Sequence, residues 1–350
     1  MLADKLDPTI LREYDIRGIV DDTLTEDAVT AIGRAFGTVV RRGGGKAVAV
    51  GYDGRTSSPR LETALSDGLK MAGLDVVQVG LGPTPMLYFA AHTLDVDAGA
   101  MITGSHNPPE YNGIKMVVRG KSFYGDAIQD LGRIVAEKDY EDGAGLIRTQ
   151  TVFKDYVERV LSDFKLGSHL RVAWDPGNGS AGEVVAEVCR RLRGSHFLIN
   201  QHIDGTFPAH HPDPTVEANL EQLKGLVAAQ QCDIGLAFDG DGDRIGVIDS
   251  QGRVMWGDQL MVVLASEILS RKPGSTIIAD VKASQVFFEE IERMGGKAVM
   301  WKTGHSLIKS KMQETGAPLA GEMSAHIFFS DGYYGYDDAV YAAIRLLSII

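Results

Sequence analysis

A strand–loop–helix–strand pattern occurs three times along the 350-residue sequence, and it constrains the fold more than any other feature. The first strand of each copy is apolar and leads to an aspartate, at Asp53, Asp175 and Asp280. Apolar strands that are joined by helices pair in parallel within a sheet that is covered on both faces. We therefore predict an α/β fold with three topologically similar α/β domains, whose mixed, mostly parallel sheets surround a central cleft.

The apolar spacing also predicts where the elements and the linkers lie. The predicted first strands are 47–51, 171–174 and 276–279, the helices are 59–71, 181–192 and 285–294, and the second strands are 75–79, 197–200 and 297–301. A further helix is predicted at 27–42. Linkers at 138–145 and 250–252 separate the copies. The predicted domains are 1–145, 146–251 and 252–350.

Composition indicates a soluble protein of the cytoplasm. The 47 acidic and 35 basic side chains give a formal net charge of -12, which argues against nucleic acid or an anionic membrane as a partner. The two cysteines, Cys189 and Cys232, are too few for a disulfide framework and are expected in cores. No apolar run reaches the roughly 20 residues that cross a bilayer, and the N-terminus lacks the apolar core of a signal peptide.

Each copy of the repeat is followed by one more apolar strand and then by an unusual polar loop. The strands are predicted at 99–102, 234–238 and 318–320. We call the loops the serine loop (103–108, Thr-Gly-Ser-His-Asn-Pro), the aspartate loop (239–244, Asp-Gly-Asp-Gly-Asp-Arg) and the sugar loop (321–326, Gly-Glu-Met-Ser-Ala-His). The last name reflects the expectation that its carboxylate, hydroxyl and imidazole groups are donors and acceptors of the sort that bind sugar hydroxyls. Ligands of open parallel sheets bind at the carboxyl ends of the strands, so we expect the three loops to meet in one cleft.

Ser105 is the candidate nucleophile of the serine loop. A serine hydroxyl is weakly nucleophilic at its ordinary pKa, and the alternative is a tight turn with a capping serine. A Gly-x-Ser-x-Gly hydrolase elbow is excluded because Asn107 occupies the second glycine position. Lys115, about one strand downstream, is a candidate acid or base or a phosphate clamp.

The aspartate loop is the candidate metal site. Asp239, Asp241 and Asp243 do not form a calcium loop, because Arg244 replaces the glycine of position six and Ser250 the glutamate of position twelve. Three adjacent carboxylates repel one another unless they lie in open water or around a cation, and their oxygens suit Mg²⁺. Arg244 would then face phosphoryl oxygens, while the alternative is an ordinary polar turn.

Several cations and sugar-binding groups lie outside these two loops. Lys282, Lys302 and His305 follow predicted strand ends and together resemble an anion subsite, although a single lysine is usually a solvated surface group. Arg17, in the segment 13–18, is another candidate anion partner, and a surface ion pair is its alternative. The sugar loop offers the side chains of Glu322, Ser324 and His326.

The three loops resemble the motifs of the α-D-phosphohexomutase superfamily, in particular of its bacterial phosphomannomutase/phosphoglucomutase members, over essentially the whole sequence. The resemblance implies that Ser105 is a phosphoserine, that its phosphate and the three aspartates hold Mg²⁺, and that Arg244 stabilises the transferred group. It implies that Lys115 or His305 carries protons. The residues that the resemblance assigns to substrate binding are Tyr14, Arg17, Lys282, His305, Glu322, Met323, Ser324 and His326.

The implied reaction moves a phosphoryl group between the 1- and 6-positions of a glucose or mannose phosphate, with glucose 1,6-bisphosphate as activator and intermediate. Met323 favours these substrates over glucosamine phosphate, because mutases of the latter usually have glutamine there. The alternatives are a glucosamine phosphate mutase, a metal-dependent phosphatase, and a truncated sugar-phosphate-binding fragment with little turnover.

The end of the sequence differs from the superfamily pattern. Members carry a fourth, C-terminal domain that clamps the substrate's other phosphate, and no residues follow Ile350 to form it. The stretch 339–350 is predicted to be an amphipathic helix without a polar cap. We therefore expect a chain that is truncated in its third domain and lacks the fourth, and that is a monomer or a weak homodimer.

Overall fold

Three β-sheets, of seven, five and four strands, organise the computed structural model, which describes residues 3–165 and 169–350. The chain divides into two compact units. Unit 1 contains residues 1–154 and 204–206, and unit 2 contains residues 155–203 and 207–350. No helix in the described part of the chain is long and apolar enough to cross a membrane.

Unit 1 is built on the seven-stranded sheet. Its strands are β1 (Ile16–Ile19), β2 (Ala47–Tyr52), β3 (Asp75–Leu81), β4 (Ala98–Ile102), β5 (Tyr111–Val118), β6 (Lys121–Ser122) and β7 (Ile147–Thr149). Its helices are α1 (Glu26–Arg42), α2 (Ser58–Met71), α3 (Thr84–Thr93) and α4 (Asp126–Glu137), and a 3₁₀ helix spans Pro8–Ile10. The strand order is β1-β5-β4-β2-β3-β7, with β6 on β5.

The α1 and α2 helices pack closely in unit 1 because glycines occupy their crossing point. A Cβ at Gly33 would collide with the Leu65 carbonyl oxygen, and one at Gly68 with the Thr30 carbonyl oxygen. The apolar faces of these helices pack against buried strand residues such as Val48 and Ile102 in one core. This core supports the central strand β2 and its neighbour β4, from which the serine loop continues.

Unit 2 contains the other two sheets. The five-stranded sheet has strands β8 (Arg171–Asp175), β9 (Ser195–Leu198), β10 (Ile234–Phe238), β11 (Ile245–Asp249) and β12 (Val254–Met255), in the order β12-β11-β10-β8-β9. Its helices are α5 (Phe153–Leu161), which begins at the end of unit 1, α6 (Gly182–Arg191) and α7 (Glu221–Gln230), and a 3₁₀ helix spans Glu217–Leu220. Leu223 and Val227 of α7 pack on this sheet.

The four-stranded sheet completes unit 2. Its strands are β13 (Thr276–Asp280), β14 (Lys297–Trp301), β15 (Leu319–Gly321) and β16 (Ile327–Phe329), in the order β14-β13-β15-β16. The helices are α8 (Gly257–Arg271), α9 (Gln285–Arg293), α10 (His305–Thr315) and α11 (Ala339–Leu347). The predicted last helix is observed as α11, but it ends at Leu347 and has no exposed polar face, because all nine of its residues are buried and Arg345 is buried against Asp331.

The three sheets share one topology. The strand that opens each repeat, β2, β8 or β13, pairs in parallel with two neighbours, and the second of these, β4, β10 or β15, pairs antiparallel with the next strand. The serine, aspartate and sugar loops all join that antiparallel pair. The prediction of three similar α/β domains with mixed sheets is confirmed.

Most predicted elements lie within one or two residues of the observed ones. The largest differences are in β9, which was predicted at 197–200 and is observed at Ser195–Leu198, and in the last helix, which was predicted to reach residue 350 and ends at Leu347. The predicted domain boundaries at 145/146 and 251/252 stay predictions. The short strand β7, which pairs with β3, follows the first of them.

Candidate active site

Ser105 lies in the serine loop between β4 and β5, and its backbone is held in an uncommon conformation. Its φ of 50° is in the left-handed region, which a residue with a Cβ rarely adopts. The Ser105 N–H donates to Thr103 Oγ1 over 2.8 Å, and Oγ lies 3.2 Å from His106 Nδ1. The residue is 4% exposed. The loop therefore fixes the serine hydroxyl in place, next to a ring nitrogen.

Arg55, from the loop after β2, fixes the backbone of the serine loop. Its guanidinium is 1% exposed and lies 3.3 Å from Asp53 Oδ2, which also accepts the Gly104 N–H over 3.0 Å. Arg55 donates to the carbonyl oxygens of Ser105, Asn107, Pro108 and Tyr111, at 2.9, 2.5, 2.6 and 3.0 Å. A Cβ at Gly104 would collide with this guanidinium, so glycine is required there.

The other predicted site residues of unit 1 lie on or beside two adjacent strands. Arg17, on β1, is buried and donates to the Gly104 carbonyl oxygen and, over 2.7 Å, to Asn107 Oδ1. Lys115 is buried on β5, in register with Met101 of β4. Tyr14 is half-buried just before β1. Arg17 and Arg55 thus bring two positive charges to the serine loop.

The aspartate loop follows β10 in unit 2 and closes on its own first side chain. Asp239 Oδ1 accepts the backbone N–H groups of Asp243 and Arg244, over 3.0 and 3.1 Å. Gly242 adopts a φ of 74°, which only glycine takes readily. The loop is braced from outside by Ser180, whose N–H donates to the Gly240 carbonyl oxygen over 2.9 Å.

The three aspartates fit a hard divalent cation. Asp239, Asp241 and Asp243 are each 0% exposed, and each offers a carboxylate oxygen within 4.8 Å of the others. Burying three negative charges side by side is costly unless a positive charge lies among them. A donor set of carboxylate oxygens matches the preference of hard cations. The predicted metal ligands Asp239, Asp241 and Asp243 are therefore close enough to share one ion.

The sugar loop of the third sheet meets the aspartate loop within unit 2. Arg244 and His326 form an antiparallel bridge, and the Ile245 N–H donates to the Ala325 carbonyl oxygen over 3.2 Å. The side chains also meet, since Arg244 Nε donates to His326 Nε2 over 3.0 Å. His326 Nδ1 lies 3.5 Å from Asp243 Oδ1. The two predicted motifs therefore form one continuous surface.

Glu322 is held at the start of α10. Its Oε1 accepts the Gly304 N–H over 2.6 Å. Burial raises the pKa of Glu322, although His326 and the Gly304 N–H oppose that shift. Met323 and Ser324, the next two residues, are half-buried, and the Met323 N–H donates to Asp280 Oδ1 over 3.1 Å.

The predicted cations of the third sheet lie near the ends of its parallel strands. Lys282 and Lys302 are exposed and follow β13 and β14, whose last residues, Asp280 and Trp301, are paired in register. His305 is the first residue of α10, and its ring lies 5.6 Å from that of His326 between centroids. His305 is therefore part of the surface that the aspartate and sugar loops form.

Comparison with known proteins identifies the family. The phosphoglucomutase/phosphomannomutase α/β/α domain models I, II and III match residues 8–142, 154–252 and 256–350. The chain belongs to the phosphoglucomutase/phosphomannomutase family. It is similar to the phosphomannomutase/phosphoglucomutase of Pseudomonas aeruginosa, with 45% identity over 348 residues that cover 99% of this chain and 75% of that protein.

Two further proteins that are similar to this chain belong to the same family. A phosphoglucomutase of Neisseria meningitidis is 42% identical over 343 residues, which cover 97% of this chain and 75% of that protein. The crystal structure of a phosphoglucomutase/phosphomannomutase family protein from Burkholderia thailandensis matches with a TM-score of 0.96 and 46% identity, over 100% of this chain and 77% of that one. The chain thus spans about three quarters of the length of these relatives.

The residues that support these loops were not predicted from the sequence. Arg55 was hidden in a predicted loop of glycine, serine and proline, although an arginine two residues after the strand-ending Asp53 was the available signal. Asp337, which lies 3.0 Å from His326 Nδ1, has no motif of its own and is separated from that histidine by 10 positions of irregular and strand structure. Only the folded chain brings these groups together.

Proposed function

We propose that this protein is a hexose phosphate mutase, an isomerase that moves a phosphoryl group between the 1- and 6-positions of glucose or mannose phosphate. The observation that carries the proposal is the junction of the aspartate and sugar loops through Arg244 and His326. It combines carboxylates for a cation, a guanidinium for phosphoryl oxygens and a sugar-binding loop in one surface. The family assignment supports the same reaction class.

The first half-reaction begins from phosphorylated Ser105. The free 6-hydroxyl oxygen of glucose 1-phosphate attacks the phosphorus, the bond between phosphorus and Ser105 Oγ breaks, and Oγ takes up a proton. The proton of the sugar hydroxyl passes to a base, for which Lys115 and His305 are the proposed groups. The product is glucose 1,6-bisphosphate, so no phosphate is lost to water.

The second half-reaction returns a phosphoryl group to Ser105. The bisphosphate turns over so that its 1-phosphate faces Oγ. Oγ gives its proton to a base and attacks the phosphorus, and the bond between phosphorus and the sugar 1-oxygen breaks as that oxygen takes up a proton. Glucose 6-phosphate is released and phosphoserine is regenerated. Both orientations must be accepted, so we propose recognition through hydroxyl groups by Glu322 and Ser324, with Met323 and His326 in the same loop.

The remaining proposed roles are electrostatic. Arg244 would stabilise the transferred group through its planar fork, and Arg17, Tyr14 and Lys282 would line the substrate site. The three aspartates and the phosphate on Ser105 would hold Mg²⁺, which would offset the negative charge of the phosphoryl oxygens. Arg17 donates to the carbonyl oxygen of Gly104, directly before Ser105, which supports a role for Arg17 beside the phosphate.

We further propose that hexose phosphates, and neither nucleic acid nor membrane, are the partners of this protein. The net charge of -12 and the two buried cysteines support a reducing, cytoplasmic location. The proposed oligomeric state is a monomer or a weak homodimer. Sedimentation at several protein concentrations tests this last point, since a stable dimer at all of them would contradict it.

The test of the proposed function is an assay with glucose 1-phosphate and a trace of glucose 1,6-bisphosphate. Glucose 6-phosphate is expected to accumulate, and the intact mass is expected to rise by one phosphoryl group located at Ser105. Free phosphate without glucose 6-phosphate would contradict the mutase and indicate a phosphatase. Equal turnover of glucosamine phosphate would contradict the proposed substrate class.

A further inference from the structure

Four side chains of unit 2 form a line beside the aspartate loop, and three of them, Lys309, Asp337 and His326, are buried. Lys309 Nζ donates to Asp337 Oδ1 over 3.0 Å, Asp337 Oδ2 lies 3.0 Å from His326 Nδ1, and Arg244 Nε donates to His326 Nε2 over 3.0 Å. Lys309 comes from α10, His326 from the sugar loop and Asp337 from the segment before α11. Asp337 is 0% and His326 3% exposed. Each link therefore lies in a site with little water.

The contact with Arg244 determines where the His326 ring carries its proton. An arginine Nε always bears hydrogen, so His326 Nε2 must supply the lone pair that accepts it. The hydrogen of the neutral ring then lies on Nδ1, the nitrogen that faces Asp337. The Asp337 carboxylate oxygen 3.0 Å from Nδ1 favours this tautomer, because its negative charge stabilises a hydrogen on the nitrogen that faces it.

A second metal ion is the competing interpretation of this cluster. Asp243, His326 and Asp337 each offer a ligand atom within 4.8 Å of the others. A cation on Nδ1 would require that nitrogen's lone pair, and the ring hydrogen would move to Nε2, against the Nε hydrogen of Arg244. Lys309 already supplies a positive charge to Asp337. The hydrogen bond from Arg244 therefore argues against an ion at this position.

We propose that Asp337 is a positioning residue for Arg244 and acts on it through the tautomer of His326. Arg244 is held at two points, since its backbone N–H donates to Asp239 and its side-chain Nε donates to His326. Its two terminal nitrogens make no hydrogen bond to any residue that the structure describes. They form the fork that a phosphoryl group can accept in two parallel bonds.

The charge of Asp337 supports this role. Burial would raise the pKa of Asp337, but Lys309 and His326 pull it well below its usual value, so the group remains a carboxylate. One of its oxygens accepts a hydrogen bond from Lys309, and the other lies 3.0 Å from His326 Nδ1. A neutral isostere cannot serve both neighbours, because it has one acceptor oxygen only.

The Asp337→Asn variant keeps the shape of the side chain at position 337 but changes the tautomer that it favours at His326. If its amide oxygen faces Lys309, its NH₂ group faces Nδ1 and drives the ring hydrogen to Nε2, against Arg244 Nε. If the amide is turned round, its NH₂ group faces the Lys309 ammonium. Asp338→Asn is the matched control, because Asp338 is the next residue and is equally buried but contacts Tyr156 and Tyr333.

The experiment measures the tautomer by ¹⁵N NMR of protein labelled at its 9 histidines, with His326 assigned by its loss in His326→Gln. The wild-type protein and Asp338→Asn are expected to show a protonated Nδ1, and Asp337→Asn a protonated Nε2. Turnover of Asp337→Asn is expected to fall by about 10- to 100-fold in kcat, with little change in KM. In the His326→Gln background, Asp337→Asn is expected to have little further effect.

Three results would overturn the proposal. They are an unchanged tautomer in Asp337→Asn, an equal loss of kcat in Asp338→Asn, and binding of a second Mn²⁺ per chain that Asp337→Asn removes. The role in turnover rests on the proposed mutase function, whereas the NMR result does not require activity. A wild-type protein that shows the Nδ1 tautomer without phosphoryl transfer would therefore contradict the function and leave the link between Asp337 and His326 intact.

Discussion

The serine loop and the aspartate loop occupy the same topological position in their sheets, yet they are stabilised in opposite ways. The serine loop is fixed by a positively charged side chain, because Arg55 donates to three of its carbonyl oxygens and to that of Tyr111, just beyond it. The aspartate loop is fixed by an anion, because Asp239 accepts two of its N–H groups. The carbonyl oxygens of the serine loop find their donor within the chain. The aspartate loop instead concentrates three buried carboxylates, which a metal cation would stabilise. A shared scaffold thus sets the position of a loop, and the loop sequence sets its charge.

Removing the nucleophile of the serine loop has the largest expected effect. Ser105→Ala is expected to abolish covalent phosphate and to lower kcat by about 10³-fold or more, since no other step can replace the phosphoserine. Because the hydrogen bonds from Arg55 to Ser105, Asn107 and Pro108 reach carbonyl oxygens, which the substitution keeps, the melting temperature is expected to stay near that of the wild type. Radiolabelled bisphosphate and calorimetric melting measure the two effects. Label retained on the alanine variant would place the nucleophile elsewhere.

Replacing Arg55, whose guanidinium donates to the carbonyl oxygens of the serine loop, tests how much this side chain stabilises the loop. Arg55→Met is expected to lower the free energy of unfolding by about 3 to 5 kcal/mol, because it leaves Asp53 buried without its partner and several carbonyl oxygens without a donor. Arg60→Met is the control: Arg60 is 37% exposed in its ion pairs with Asp21 and Glu26, and its loss is expected to stay below about 1 kcal/mol. Equal losses in urea unfolding would contradict the difference.

The aspartate loop is also supported by the start of α11, because the Gly242 carbonyl oxygen accepts the Ala339 N–H. The pH dependence of the free energy of unfolding tests this support. Burial raises the pKa of Asp338, the residue that caps this helix, to about 6, although hydrogen bonds from Tyr341 N–H, Tyr333 and Tyr156 oppose the shift. The folded state therefore binds this proton more tightly than the unfolded state, whose pKa is near 3.8. Its contribution to stability is present below about pH 4 and is lost as the pH rises through about 6.

The matching variant isolates that pH dependence. Asp338→Asn is expected to remove a fall of about 3 kcal/mol in the free energy of unfolding between pH 4 and pH 7. Urea unfolding of both proteins across this range measures it. A difference between variant and wild type that does not change with pH would show that Asp338 is ionised in the folded protein throughout.

Removing one charge from the aspartate loop has the smallest expected effect on folding. Asp241→Asn is expected to raise the stability of the metal-free protein by on the order of 1 kcal/mol, because it relieves repulsion among buried carboxylates. The same change is expected to weaken Mg²⁺ binding by about tenfold or more. Melting with and without chelator measures both, with the exposed Asp22→Asn as control. A metal-free protein that loses stability would show that the loop does not depend on a cation.

The elements of the fold were predictable because their signals are local. Strands such as β10 and helices such as α1 have apolar residues at the period of the element, and the repeat then predicted the shared topology. The positions of the three polar loops followed from the strands before them. The last helix was predicted to reach residue 350 with a polar face, whereas α11 ends at Leu347 and Asp331 accepts the guanidinium of Arg345 in the interior, a contact with no local signal.

The candidate site was predictable only in its reactive groups. The residue types of Ser105 and of the aspartates indicate their chemistry directly, and the structure brings Asp239, Asp241 and Asp243 together as predicted. Arg55 and Asp337 were not predictable, since their partners lie far away in sequence or carry no periodic signal. The contacts of His326 with Arg244 and Asp337 are likewise visible only in the structure, and its role in sugar binding stays a prediction.

The antiparallel strand pair that carries each polar loop has a consequence for protein engineering. Because every loop begins at the end of one ladder strand and returns along the next, its length and sequence can change without shifting the register of either strand. The same strand pair can therefore carry loops with different chemical functions in each of the three sheets. A designer could graft a different anion-binding or nucleophilic hairpin at any of the three positions and keep the surrounding architecture.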